Sequence, residues 1–271
     1  MKTEGIAIIR VDLPSDIENI EIIPIGDVHI GEELTDERMF KDTIKYILEK
    51  PNRFVILNGD LMDMALTMSV SDTYGASLQP EEQVKHVARL LKPLVEQNRI
   101  LAMGTGNHED RVYKHTGIDA SRYLAYVLGI EERYSSNSFI VHIRVGKSYT
   151  SRETNLKKQC YSIFVQHGSG GGRKNGGKLN RLNDSDQIVA NCDIYIMGHV
   201  HVPIANVMTT FLMDNANGSM HRHNKYYILN NAWQDFGGYG LKFGFSPSAK
   251  EITYATLYTQ GKKRIKLHIG I

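Results

Sequence analysis

Along the first hundred residues, short apolar runs alternate with stretches whose apolar positions recur every three to four residues. Residues 6–11 and 20–25 are runs rich in isoleucine, bounded by Pro14 and Gly26, and they read as strands. Thr35 is placed to cap a helix with Asp36 and Glu37 in its first turn, Phe40, Ile44, Ile47 and Leu48 on one face, and Pro51 as its stop. Residues 53–57 form the next strand, and residues 66–79 lack a clear period, as a loop or short helical piece would. Pro80, Glu81 and Glu82 open a second helix with Val84, Val87, Leu91, Leu94 and Val95 inward and a kink expected near Pro93. It delivers the chain to a strand at 100–103, which spills into the polar loop Gly104-Thr105-Gly106-Asn107-His108-Glu109-Asp110. This β-α-β-α-β order predicts a right-handed, mostly parallel sheet with polar residues gathered along its carboxyl edge. A third helix, capped by Asp119 and closed by Gly129, carries Tyr123, Leu124, Val127 and Leu128.

The pattern then changes. Residues 139–145 and 161–166 read as strands joined by a polar loop, and 168–184 hold six glycines and several bases. A helix over 179–189 leads to an apolar strand at 193–197. Strands follow at 204–211, 226–229, 252–258 and 265–269, with an irregular hairpin tip at 214–224. They predict a second sheet packed on the first. No internal repeat or linker divides the chain.

Composition narrows the picture only a little. With 271 residues and 41% hydrophobic content, the chain can bury the core of one large α/β domain. No apolar run approaches the roughly 18 residues of a membrane span, and the start MKTEGIAIIRVDLPSD has no signal-peptide core, so a cytoplasmic protein is expected. Cys160 and Cys192 sit in apolar surroundings, which suits buried free thiols. The net charge of +2 permits a polyanionic partner without demanding one.

Chemistry gathers at the strand ends: Asp27-x-His29, Gly59-Asp60-x-x-Asp63, Gly106-Asn107-His108-Glu109, His167-Gly168 and Gly198-His199-x-His201. Each follows an apolar run. Carboxylate, imidazole and amide oxygen are donors that first-row divalent metals accept, whereas a lone Asn-His-Glu would equally suit a capped turn. Seven candidate ligands are too many for one ion. Two ions sharing a carboxylate would use them all, about 3.5–4 Å apart, as in sites that clamp both oxygens of a phosphoryl displacement.

This ordered set resembles the calcineurin-like metallophosphoesterase superfamily, and the match runs from Asp27 to His201. The resemblance implies a single domain over residues 1–271 with a four-layer αββα sandwich, two mixed sheets flanked by helices. It implies that Asp27, His29 and His201 hold one metal, that Asn107, His167 and His199 hold the other, and that Asp60 bridges them. His108 would face substrate as general acid, oriented by Asp63, while a metal-bridging hydroxide attacks phosphorus in line. Manganese is the first expectation for the two divalent ions, with iron, zinc or nickel also compatible. After Asp60 the chain reads Leu-Met-Asp-Met and not the Val-Asp-Arg-Gly of serine/threonine protein phosphatases. The glycine-rich segment after His167 and the Asn-His-Glu-Asp-Arg extension look more like phage-type and nuclease-like branches.

The expectation is therefore a phosphodiesterase of nucleic acid (DNA or RNA) or of a nucleotide. The alternatives are a phosphomonoesterase of a small metabolite and a non-catalytic interaction module on the same fold. Arg173, Lys174, Lys178 and Arg181, in a glycine-rich stretch without acidic residues, are candidate phosphate contacts. Lys262, Lys263, Arg264 and Lys266 read as a solvated strand face, and His86, His115, His142, His221, His223 and His268 as structural or surface residues. Trp233, Phe236 and Tyr239 could stack a base, but core is the default reading. Oligomeric state is left open.

Overall fold

The computed structural model describes residues 5–14, 16–67, 76–145, 159–170, 172, 174–242 and 244–270. Arg173 and the side chain of Tyr239 lie outside this part. In chain order the strands are β1 (Ala7–Leu13), β2 (Asn19–Ile25), β3 (Arg53–Asn58), β4 (Ile100–Gly104), β5 (Tyr134–Ser135), β6 (Phe139–Val145), β7 (Gln159–Gln166), β8 (Ile194–Met197), β9 (Ile204–Asp214), β10 (Ser219–Leu229), β11 (Thr253–Tyr258) and β12 (Arg264–Ile269). The helices are α1 (Glu37–Leu48), α2 (Pro80–Glu96), α3 (Asn107–Thr116), α4 (Ala120–Leu128), α5 (Asn175–Asn183) and the short α6 (Gly238–Lys242).

Two six-stranded mixed sheets result, ordered β12-β11-β2-β3-β4-β5 and β1-β6-β7-β8-β10-β9. In the first sheet β2, β3, β4 and β5 run parallel, with α1 and α2 as the crossovers between the first three. Every residue of β3 and β4 is buried, as strands covered on both faces must be. Period-two alternation then decides which layer each side chain joins. Ile20 and Ile22 point into the core between the sheets with Ile56, Val141, Ile163, Ile196 and Leu257. Ile23 and Ile25 point outward to α1, α2 and α4, meeting Phe40, Ile44, Val87, Leu91 and Leu124. On the far side Phe164, Tyr195 and Tyr227 pack with Leu182 of α5. Helix, sheet, sheet and helix thus form the expected four layers.

Several expectations need correction. The carboxyl-terminal strands do not all build the second sheet: β11 and β12 extend the first, while β1 crosses over to pair with β6 in the second. The loop after β4 is the first turn of α3. The helix cap at α1 is Asp36, whose Oδ1 accepts from Met39 N at 3.0 Å, while the Thr35 hydroxyl donates to the His29 carbonyl at 2.8 Å. The helix placed at 179–189 starts earlier and ends at Asn183, followed by a 3-10 turn at Asp184–Gln187.

The irregular tip at 214–224 is instead regular hairpin, β9 pairing with β10 up to Asp214 and Ser219, so His221 and His223 lie on a strand. Both faces of that hairpin are solvated, so no alternation marked it. Cys160 is exposed and only Cys192 is buried. Trp233 is core, edge-on to Phe40, whereas Phe236 is exposed. Among the described residues no helix is long and apolar enough to cross a membrane.

Candidate metal centre

The carboxyl ends of β2, β3 and β4 lie beside those of β7 and β8, so the five polar strand ends meet at one edge of the two sheets. The backbone there is unusual. Asp27, His29, Asp60, His199 and His201 all have positive φ, between 48° and 67°, a region that side-chain-bearing residues occupy at a cost of order 1–3 kcal/mol each. Neighbouring glycines make the close packing possible: a Cβ on Gly106 would lie 2.1 Å from Asp60 Oδ1, and one on Gly198 would lie 2.6 Å from Asp27 Oδ2.

Each carboxylate is anchored by one oxygen and leaves the other toward the imidazoles. Asp27 Oδ1 accepts from His199 N at 2.7 Å, and Asp60 Oδ1 accepts from His108 N, in the first turn of α3, at 2.8 Å. Asp27 Oδ2 and Asp60 Oδ2 are buried without a hydrogen bond. Around Asp60 Oδ2 stand the Nε2 atoms of His167, His29 and His108 at 3.1, 3.8 and 3.9 Å. His29 Nε2 faces His201 Nε2 at 3.3 Å. Asn107 Oδ1 lies 3.0 Å from His167 Nε2 and 2.7 Å from His199 Nδ1. His167 Nδ1 is 2.9 Å from the Asn58 carbonyl, which fixes that nitrogen as the N–H and turns the lone pair of Nε2 inward.

Ligand atoms of Asp27, His29 and His201, and separately of Asp60, His167 and His199, fall within 4.8 Å of one another and could each hold a metal ion. A third such group, His29, Asp60 and His108, overlaps both. Buried carboxylate oxygens without donors and imidazole lone pairs aimed at one another fit divalent cations well, because a cation satisfies all of these acceptors at once. The charges of these groups oppose one another. Burial pushes the Asp27 carboxyl up to about 7. Burial also opposes charge on His167, but Asp60, Asp27 and the Asn58 carbonyl outweigh it and raise the imidazole to about 10. Burial and the charge of His167 press His199 down to about 4.

His108 stands apart. Its Nδ1 is 3.0 Å from Asp63 Oδ1 and 2.9 Å from the Asp63 carbonyl, leaving Nε2 to face the site. Burial lowers its affinity for a proton, but Asp63 and Asp60 more than restore it, and the ring titrates above its ordinary value. Burial likewise opposes charge on Asp63, yet the bond to His108 and the His29 ring 3.8 Å away hold its carboxyl below the usual range.

Of the four loop bases, Arg173 lies outside the described residues. Lys174 is exposed at the start of α5. Lys178 Nζ donates to the Val200 carbonyl at 3.1 Å, bracing the His199–His201 loop, and Arg181 donates to the Ser169 carbonyl at 2.5 Å. Sequence reasoning missed the residues that support the loops from behind. Trp233 Nε1 donates to the Gly26 carbonyl at 2.7 Å and Gln234 Nε2 to the Asp27 carbonyl at 3.2 Å. Glu109, buried behind Asp60, was legible only as a reach-back acid three residues after Gly106.

The calcineurin-like phosphoesterase family model matches residues 20–203. A search of curated protein sequences returned no match. Among solved structures, a conserved protein from Streptococcus pneumoniae described as a predicted phosphoesterase is 12% identical over 93% of this chain and 91% of its own, with a TM-score of 0.36. Plasmodium GAP50, described as the anchor in the inner membrane complex, is 13% identical over 93% of this chain and 84% of its own, with a TM-score of 0.37. The family match spans more than half of the sequence and takes in every one of the converging strand ends, and the chain therefore belongs to the calcineurin-like phosphoesterases.

Proposed function

We propose that this metal-dependent phosphoesterase is a phosphodiesterase with two divalent cations, acting on nucleic acid or on a nucleotide. Asp27, His29 and His201 would hold one cation and Asn107, His167 and His199 the other, with Asp60 shared between them. When bound, the pair would supply positive charge to the phosphoryl oxygens and acidify a water. Manganese is the ion we assign first, and the mixed imidazole and carboxylate set would also suit iron, zinc or nickel.

The chain's own contribution centres on His108. Asp63 takes its Nδ1–H, which fixes the tautomer and supports the imidazolium, so Nε2 is the nitrogen left to hand a proton to the departing oxygen. A proton held there matters most when the leaving group is a poorly stabilised alkoxide, as in a nucleic-acid diester. The observation that carries the diester reading is the openness of the site: Asn107 is exposed at one set of ligands, and the His201 side chain is 34% exposed at the other. A long phosphodiester can lie across such a surface. Arg111, one turn beyond His108 on α3, adds positive charge beside the site. The Leu61-Met62-Asp63-Met64 run also lacks the arginine of the phosphoprotein phosphatases.

Bis-p-nitrophenyl phosphate compared with p-nitrophenyl phosphate in the presence of manganese tests the reading. Faster turnover of the diester, followed by cleavage of a labelled oligonucleotide, is expected. Preference for the monoester would replace it with a phosphomonoesterase, and turnover of neither despite bound metal would point to an interaction module or a very selective enzyme.

A further inference from the structure

The β3 and β4 loop tips are joined by a single buried carboxylate. Glu109, only 1% exposed, accepts from Leu61 N at 2.8 Å and Met62 N at 3.1 Å through Oε1, and from Asp60 N and Gly106 N, both at 3.0 Å, through Oε2. Three of these donors are consecutive. Gly59 and Asp60 have φ of 84° and 48°, and this left-handed curl turns the N–H groups of residues 60 to 62 to one side, as in the backbone nests that bind external anions. Here the anion comes from the chain itself, out of the first turn of α3. The same helix end gives His108 N to Asp60 Oδ1. Asp60 is thus held twice, at its backbone N–H by Glu109 and at its side chain by His108 N, and its remaining oxygen has one direction left.

We propose that Glu109 is the positioning residue of the metal centre, its carboxylate holding Asp60 in the left-handed conformation that aims Oδ2 at the three imidazoles. This rests on the reading of Asp60 as the shared ligand. The chemistry of the clamp is strict. A glutamine has the same shape, but each Glu109 oxygen accepts two N–H groups, so either orientation of the amide sets an NH2 against two backbone donors. Aspartate keeps the charge and falls one methylene short.

Manganese titrated calorimetrically into metal-free protein tests the role without recourse to turnover. Glu109→Gln should raise the dissociation constant by about 10- to 100-fold, the range for groups that orient metal ligands. Leu91→Ala, which opens a cavity in α2 remote from the site, controls for lost stability and should bind manganese like the wild type while melting lower. Should Glu109→Gln fail to fold, Glu109→Asp takes its place and is judged against the same control. Loss of affinity no greater than in Leu91→Ala, with wild type binding normally, overturns the role of Glu109. Wild-type protein that binds no manganese would instead remove the reading of Asp60 on which the inference stands.

Discussion

Asp60 and His108 touch each other, yet they should fail in different ways. Asp60 has no solvent exposure and offers the site an oxygen without a donor, so Asp60→Asn replaces an anion at the centre of the imidazoles and should lower bound metal itself. His108 is 18% exposed, paired to Asp63, and is not needed to complete either of the two proposed ligand sets. His108→Ala should keep metal content and lower kcat on an alkyl diester by about 10²- to 10⁴-fold, the usual contribution of a general acid. Elemental analysis beside steady-state kinetics separates the two, and equal metal loss in both variants would contradict these roles. The candidate ligands stood out because carboxylates and histidines directly after buried apolar runs have few other reasons to be there. Glu109 was not. Its partners at Asp60, Leu61 and Met62 are 47 to 49 positions away, and nothing local marks a glutamate that will be buried.

Among the secondary elements, α1 and α3 show two uses of a helix start. At α1 the cap is structural: Asp36 Oδ1 satisfies Met39 N, and Oδ2 meets Lys250 Nζ at 2.8 Å. Asp36→Ala should cost about 1 kcal/mol, nearly all of it from the cap because a solvated ion pair adds little. Urea denaturation measures this, and manganese affinity should be unchanged. At α3 the acceptor comes from another strand end, since Asp60 supplies the oxygen for His108 N. That explains why α3 read as a loop: Gly106 offers no side-chain cap, the helix buries only Glu109, and its polar sequence carries no apolar stripe. By contrast α1, α2 and α4 bury stripes against the first sheet, and their period was visible at once.

For the molecule as a whole, the two sheets are interlocked through the chain ends, and the site depends on both. β2, β3 and β4 of one sheet supply Asp27, His29, Asp60, Asn107 and His108, while β7 and β8 of the other supply His167, His199 and His201. Bringing these groups together without metal leaves protonation strain. His167 is raised from 6.5 to about 10, so its contribution to stability is fully present below 6.5 and is lost as pH rises through about 10. Asp27, raised by burial from 3.8 to about 7, acts in the same direction, and its contribution is lost between those values. The melting temperature of chelator-treated protein should therefore fall as pH is raised from 6 to about 10. Manganese affinity should rise over the same range, because a cation must displace the His167 proton. Scanning calorimetry with and without manganese would show the two trends, and a flat chelated profile would contradict the assignment for His167.

The order of buried runs and polar strand ends marked this chain as an α/β protein whose strand edge gathers candidate donors for divalent metals, because apolar strands must end in polar turns and few donor types suit such ions. Which sheet each strand joined was decided only in three dimensions. An alternating run such as β1 satisfies its inner face against either sheet, and its neighbour β6 is chosen by pairing across more than a hundred residues. The same holds for the clamp behind the site. Composition and spacing can mark Glu109 as a helix-start acid, but the backbone hole that receives it exists only once β3 and β4 lie side by side, since hydrogen bonds to buried N–H groups form wherever folding brings them together.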